Sequence, residues 1–151
     1  MIFYLDTSAF IKRYLEELGS QELRKFLKKK GYFFTSKIAY VEVLMTFRRK
    51  KTEGFLSDED FLKLTNKFEK DWLVFNIIEL SNEIIKTLKE KVFKHPLKAL
   101  DAIHLSSALW LKDKFINVIF VCSDYHLKEK AKLEKLSIWD PCEEELQIKK
   151  V

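Results

Sequence analysis

What most constrains this chain is the regular alternation of short apolar runs with stretches of helical spacing. Five apolar runs, residues 2–5, 32–35, 74–78, 117–122 and 137–139, are each bounded by a cap or turn residue and are short enough to be strands. Most lack the polar and apolar alternation of a half-wet sheet, which is how strands buried on both faces read. Between them, Phe10, Ile11, Tyr14, Leu15 and Leu18 make one helical stripe. Leu23, Phe26 and Leu27 make a second that ends near Gly31, and Ile38, Val41, Leu44, Met45 and Phe47 make a third. The same spacing predicts helices over 58–69, 82–93, 97–111 and 127–136, with Ser57 and Ser81 as N-caps. Strands alternating with helices imply an α/β sandwich around a parallel sheet. The long helical stretch between the second and third strands is the one irregularity. No Pro- or Gly-rich linker, repeat or low-complexity tract divides the chain, so a single domain is expected over residues 1–151.

The composition supports one well-filled core and narrows the chemistry. Hydrophobic residues are 47% of the 151, with 13 Phe, which suits a compact domain and excludes wholesale disorder. Lys and Arg number 28 against 23 Asp and Glu, and the net +5 favours anionic partners. The three glycines, Gly19, Gly31 and Gly54, cannot compose a phosphate-cradling loop or a dinucleotide fingerprint, which argues against ATP and NAD chemistry. Cys122 and Cys142 have neither metal-pair spacing nor a ligand register with His95 or His126, so two reduced thiols are expected rather than a zinc site. Residues 1–5 run straight into a strand without a cleavable leader, and no stretch reaches the ~20 apolar residues of a membrane span. A cytoplasmic protein without a membrane partner is expected.

Four acids stand out by position. Asp6 closes the first strand and Asp124 the fourth, at the carboxyl ends where open α/β sheets bind ligands. Read singly, each also serves as a helix N-cap, a role Ser8 could share beside Asp6. Glu42 interrupts a nearly apolar stretch of its helix, on either a solvated face or a functional one. Asp101 lies among Leu100, Ala102, Ile103 and Leu105, where an ionised carboxylate needs a compensating partner: Lys98 one turn earlier, the positive end of the helix, or a metal ion. Two carboxylates within ~4 Å repel by roughly 4 kcal/mol at an effective dielectric near 20, so a cluster of them calls for a cation. All-oxygen ligation selects Mg²⁺ or Mn²⁺, ions that activate water and neutralise phosphodiesters.

Together, strand-Asp6-Thr7-Ser8, the helical Glu42, the run Leu100-Asp101-Ala102-Ile103-His104-Leu105, strand-Ser123-Asp124-Tyr125-His126-Leu127 and the ending Leu136 to Pro141 resemble the PIN-domain ribonucleases, particularly the VapC-type toxins of toxin-antitoxin modules. The resemblance spans nearly the whole chain. It implies a three-layer α/β/α fold, Mg²⁺- or Mn²⁺-dependent cleavage of RNA, homodimerisation and inhibition by a separate antitoxin. Carried over by motif, Asp6 and Asp101 bind the catalytic metal most directly, and Glu42 and Asp124 complete the acidic pocket directly or through water. Ser8 and Ser123 would orient carboxylates or act as caps. Where such proteins often have Ser or Thr two residues before the last acid, this chain has Cys122, and Ser123 is the substitute hydroxyl.

The basic runs at 28–30, 48–51 and Lys128, Lys130 and Lys132 read as solvated helix ends or as grips on an RNA backbone. Arg48 and Arg49, which continue the Glu42 helix, are the substrate-binding candidates. His104, one turn beyond Asp101, reads as a packed, hydrogen-bonded histidine without a catalytic role. The alternatives to a toxin are a PIN-type RNA-processing nuclease without an antitoxin, and a noncatalytic RNA-binding or protein-interaction module on the same fold.

Overall fold

The computed structural model describes residues 1–150; Val151, the last residue of the expected domain, lies outside the described residues. The five predicted strands form one sheet. They are β1 (Ile2–Leu5), β2 (Tyr32–Ser36), β3 (Asn76–Ile78), β4 (Val118–Val121) and β5 (Ser137–Trp139), in the order β3-β2-β1-β4-β5, and every pairing is parallel. Parallel neighbours require crossovers, and eight helices accompany them: α1 (Thr7–Phe10), α2 (Ser20–Phe26), α3 (Ile38–Thr52), α4 (Asp58–Trp72), α5 (Asn82–Lys94), α6 (Ala99–Lys114), α7 (Tyr125–Leu133) and α8 (Pro141–Ile148).

The sheet divides the interior into two cores because successive strand residues point to opposite faces. Phe3 and Leu5 of β1 pack with Phe10, Leu23, Phe26, Val43, Phe47 and Phe68, from α1 to α4. Tyr4 packs on the other side with Ile84, Leu105, Leu111, Leu127 and Ala131, from α5, α6 and α7. Both faces of the sheet are covered by apolar side chains, which is why the strands show no alternation. The result is the expected three-layer α/β/α sandwich.

Most helices sit where the spacing places them, and the Ser57 and Ser81 side chains accept the N–H groups of Asp60 and Ile84 as N-caps. The irregularity between β2 and β3 is a hairpin of α3 and α4, turned at Gly54 with φ +80°. Two readings change. The stripe beginning at Phe10 is not one helix: α1 passes into a 3-10 turn over Ile11–Arg13, which ends before Leu18. Phe10, Ile11, Tyr14 and Leu15 are buried as the stripe requires, but Leu18 is 43% exposed, because the chain must leave the core to reach Gly19. Gly19, at φ +85°, lies so close to α8 that a Cβ there would stand 2.7 Å from the backbone of Pro141 and Cys142. Helix α8 lies beyond the helices that the spacing predicts, although Asp140 followed by Pro141 is a legible start signal. Strands β3 and β4 are shorter at their ends than the apolar runs. Among the described residues no helix is long and apolar enough to cross a membrane.

A candidate active site at the carboxyl end of the sheet

The strand order reverses direction at β1, whose neighbours are β2 on one side and β4 on the other. That reversal opens a crevice beyond the carboxyl ends of β1 and β4, and Asp6 and Asp124 stand at its edge. Asp6 is 3% exposed. It caps α1 by accepting the Ala9 N–H at 3.0 Å, and it also accepts the Ser8 hydroxyl at 2.8 and 2.9 Å and the Cys122 thiol at 3.2 Å. Burial raises the Asp6 carboxyl above its ordinary range against these bonds and the nearby His104. Asp124 likewise caps its helix, accepting the Leu127 N–H at 2.8 Å. The capping reading therefore holds for both residues, and it fixes the two carboxylates at the crevice.

Ser8 ties the two strand ends together. While its hydroxyl donates to Asp6, its oxygen accepts the backbone N–H groups of Ser123 at 2.9 Å and Asp124 at 3.0 Å. Ser123 points its own hydroxyl away, to Asp140 at 2.8 Å, so its side chain orients no acid of the crevice. Cys122 stands in the place of the usual Ser or Thr and supports Asp6; its second contact is to the backbone carbonyl of Asp124, at 3.6 Å. Burial pushes that thiol far up, so it stays protonated and donates.

Helix α3 brings half-buried Glu42 over the crevice. Its Oε2 accepts the Thr7 hydroxyl at 2.6 Å and lies 2.8 Å from His104 Nε2. Burial works to raise this carboxyl, but the bonds from His104 and Thr7 overcome it and hold it below the usual range. Asp101, in the first turn of α6, has no ion-pair partner among the described residues, Lys98 included. Burial raises its carboxyl, the negative charge of Asp124 raises it further and Glu42 adds to the effect, against the opposing pull of His104 and Lys98.

All four acids line one cleft of about 230 Å³, together with Thr7, Ser8, Thr46, Arg49, His104 and a fifth acid, Glu17. Glu17, which pairs with buried Lys12 at 3.2 Å, is brought in because the first stripe breaks before it; a continuous helix would not have pointed to it. Of the two candidate arginines only Arg49 lines the cleft, whereas the charge of Arg48 lies toward Asp58. Lys128, read from the sequence as part of a basic face, is instead buried in ion pairs with Asp140 and Glu143. Among the described residues no three His, Cys, Asp or Glu side chains are arranged to hold a metal ion as they stand. The physical reason is local: Asp6, Glu42 and Asp124 are each drawn to their own hydrogen-bond donors, and like charges keep apart. The donor set nonetheless suits a hard cation, being all oxygen and carrying between Asp101 and Asp124 a repulsion that His104 and Lys98 only partly offset.

A sequence model of the PIN domain matches residues 3–133. The chain belongs to the PIN-domain family. This PIN domain is 26% identical over 112 residues to Ribonuclease VapC45 of Mycobacterium tuberculosis, a match covering 74% of this chain and 78% of that one. Its fold matches VapBC2 of Rickettsia felis with a TM-score of 0.65 at 16% identity, covering 93% of this chain and 98% of that one. A toxin-antitoxin complex from Klebsiella pneumoniae gives a TM-score of 0.57 at 17% identity, over 82% and 87%. Family membership supports a nuclease in general terms, and the homology is with VapC-type proteins of toxin-antitoxin modules.

Proposed function

We propose that this PIN domain is a metal-dependent endoribonuclease, the toxin of a type II toxin-antitoxin pair, acting on RNA in the cytoplasm. The observation that carries the reading is the convergence of Asp6, Glu42, Asp101 and Asp124, from four separate elements, on one cleft in which Asp101 and Asp124 repel each other. The repulsion between Asp101 and Asp124 opposes stability, so a function that needs negative charge there explains its presence. Asp6, Asp101, Glu42 and Asp124 would hold Mg²⁺ or Mn²⁺, which when bound supplies positive charge to the phosphodiester and lowers the pKa of an attacking water. Ser8 keeps Asp6 and the Asp124 backbone in register. Arg49, on the same wall, faces the phosphates of the incoming strand, and the net charge of +5 draws that strand in. An antitoxin would cover this cleft. Exposed apolar side chains such as Val41, Met45, Phe93 and Ile116 supply surface for it and for a homodimer.

The purified protein should cut RNA in Mg²⁺ or Mn²⁺ and fall silent in EDTA. Cleavage undiminished by chelation, with contaminating nucleases excluded, would refute the metal reading. Binding of RNA without cleavage under every divalent ion would leave the noncatalytic module in its place.

A further inference from the structure

His104 is buried on α6, three residues after Asp101, and both of its ring nitrogens are held. Nδ1 lies 2.8 Å from the Tyr4 hydroxyl, and Nε2 lies 2.8 Å from Glu42 Oε2 and 3.1 Å from Thr7 Oγ1. The phenol of Tyr4 is fully buried, with its oxygen 2.8 Å from Nδ1. The Glu42 carboxylate can only accept, so Nε2 carries a proton and donates it to Oε2, while the Tyr4 hydroxyl holds the ring from the Nδ1 side. Thr7 donates to the same carboxylate oxygen at 2.6 Å. Two donors thus converge on Oε2, whereas Oε1 takes no hydrogen bond among the described residues.

We propose that His104, set by Tyr4, is a positioning residue: with Thr7 it clamps Oε2 of Glu42 and leaves Oε1 as the single oxygen that Glu42 offers to a divalent cation in the cleft. The inference rests on the metal reading given above. Glutamate reaches the cleft through three rotatable bonds, and it shares that cleft with Asp101, whose charge opposes its own. Unheld, it swings toward solvent, and an arriving ion must order it again. A donor anchored through Tyr4 to the floor of the sheet removes that freedom in advance, as partners behind a metal ligand generally do. The alternative, a histidine kept only for packing against the Tyr4 ring at 5.9 Å, needs no N–H at Nε2.

The test compares wild type with His104→Leu, His104→Gln and Tyr4→Phe, reading Mn²⁺ affinity of the metal-free proteins by electron paramagnetic resonance, together with kcat and KM on RNA. His104→Leu should weaken Mn²⁺ binding by about tenfold or more and lower kcat with KM for RNA unchanged. His104→Gln, which retains an N–H near the place of Nε2, should recover most of the affinity, and Tyr4→Phe should weaken it less than leucine does. A folded leucine variant with affinity within about twofold of wild type, or a glutamine variant no better than leucine, would overturn the proposal. Should the leucine variant not fold, Tyr4→Phe decides, and unchanged affinity and kcat there would overturn it equally. If wild type itself takes up no Mn²⁺, the metal reading falls and this inference falls with it. Wild-type binding beside indifferent variants removes this inference alone.

Discussion

Replacing Asp101 by Asn separates a carboxylate kept for function from one kept for structure. Asp101 is half-buried without an ion-pair partner among the described residues, and burial and then Asp124 hold its carboxyl above the ordinary range. A folded-state pKa above the unfolded one means that the ionised group opposes folding at neutral pH, and that the opposition fades as pH falls through the raised value. Asparagine removes the charge and keeps the shape. Solvent screens a half-exposed group, so the relief is at most about 1 kcal/mol, a rise in the metal-free melting temperature of about 1 to 4 °C. The difference should close in acid, where wild type is itself protonated. Mg²⁺ at about 100 times its dissociation constant should stabilise wild type by about 2.7 kcal/mol, or about 5 to 11 °C, and the variant much less. RNA cleavage should fall by more than about 100-fold, beyond what losing a supporting partner of a ligand costs. Thermal melts in EDTA and in Mg²⁺ at pH 7 and pH 4, paired with a cleavage assay, read all of this. A lower melting temperature with cleavage intact and an unchanged metal response would show that Asp101 is structural and refute the reasoning.

Glu134 carries the opposite sign. Burial works to raise its carboxyl, but bonds from Lys91, Lys94 and His95 hold it at about 2, so Glu134→Gln should cost about 1 kcal/mol at pH 7 after solvent screening. In urea titrations that cost should fade as pH falls from about 4.3 toward 2, and a cost independent of pH would show that charge is not its source. Lys128→Met leaves Asp140 buried without its cation and should lower stability by about 3 kcal/mol, with part recovered when Asp140→Asn is added; no recovery would mean that the pair is not coupled. Gly54→Ala meets open space and should cost about 1 kcal/mol, the strain of its positive φ alone. Gly19→Ala, whose Cβ would strike the backbone of Pro141 and Cys142, should cost about 2 kcal/mol more, and equal melting temperatures for the two variants would contradict the close approach of α8.

The sequence by itself determined the class of fold and singled out the four acids that line one cleft. Apolar runs without alternation specify strands buried on both faces, and the 3.6-residue spacing between them specifies the covering helices, because burial acts on local pattern before any contact forms. Asp6 and Asp124 were legible as acids at strand ends for the same reason. What the pattern could not express was strand order. Only the pairing of β1 with both β2 and β4 sets Asp6 beside Asp124, and a neighbour 118 residues away leaves no periodic trace. The partners of the site escaped likewise. Whether Ser123 faced the crevice, whether Lys128 was solvated and whether His104 met Glu42 depended on where α8, α6 and α3 docked. Glu17 entered the cleft only because the first stripe broke into a 3-10 turn. Local pattern decides which side chains are buried; the direction in which a polar side chain finds its donor is decided by elements distant in sequence, through hydrogen bonds whose geometry exists only once the layers have packed.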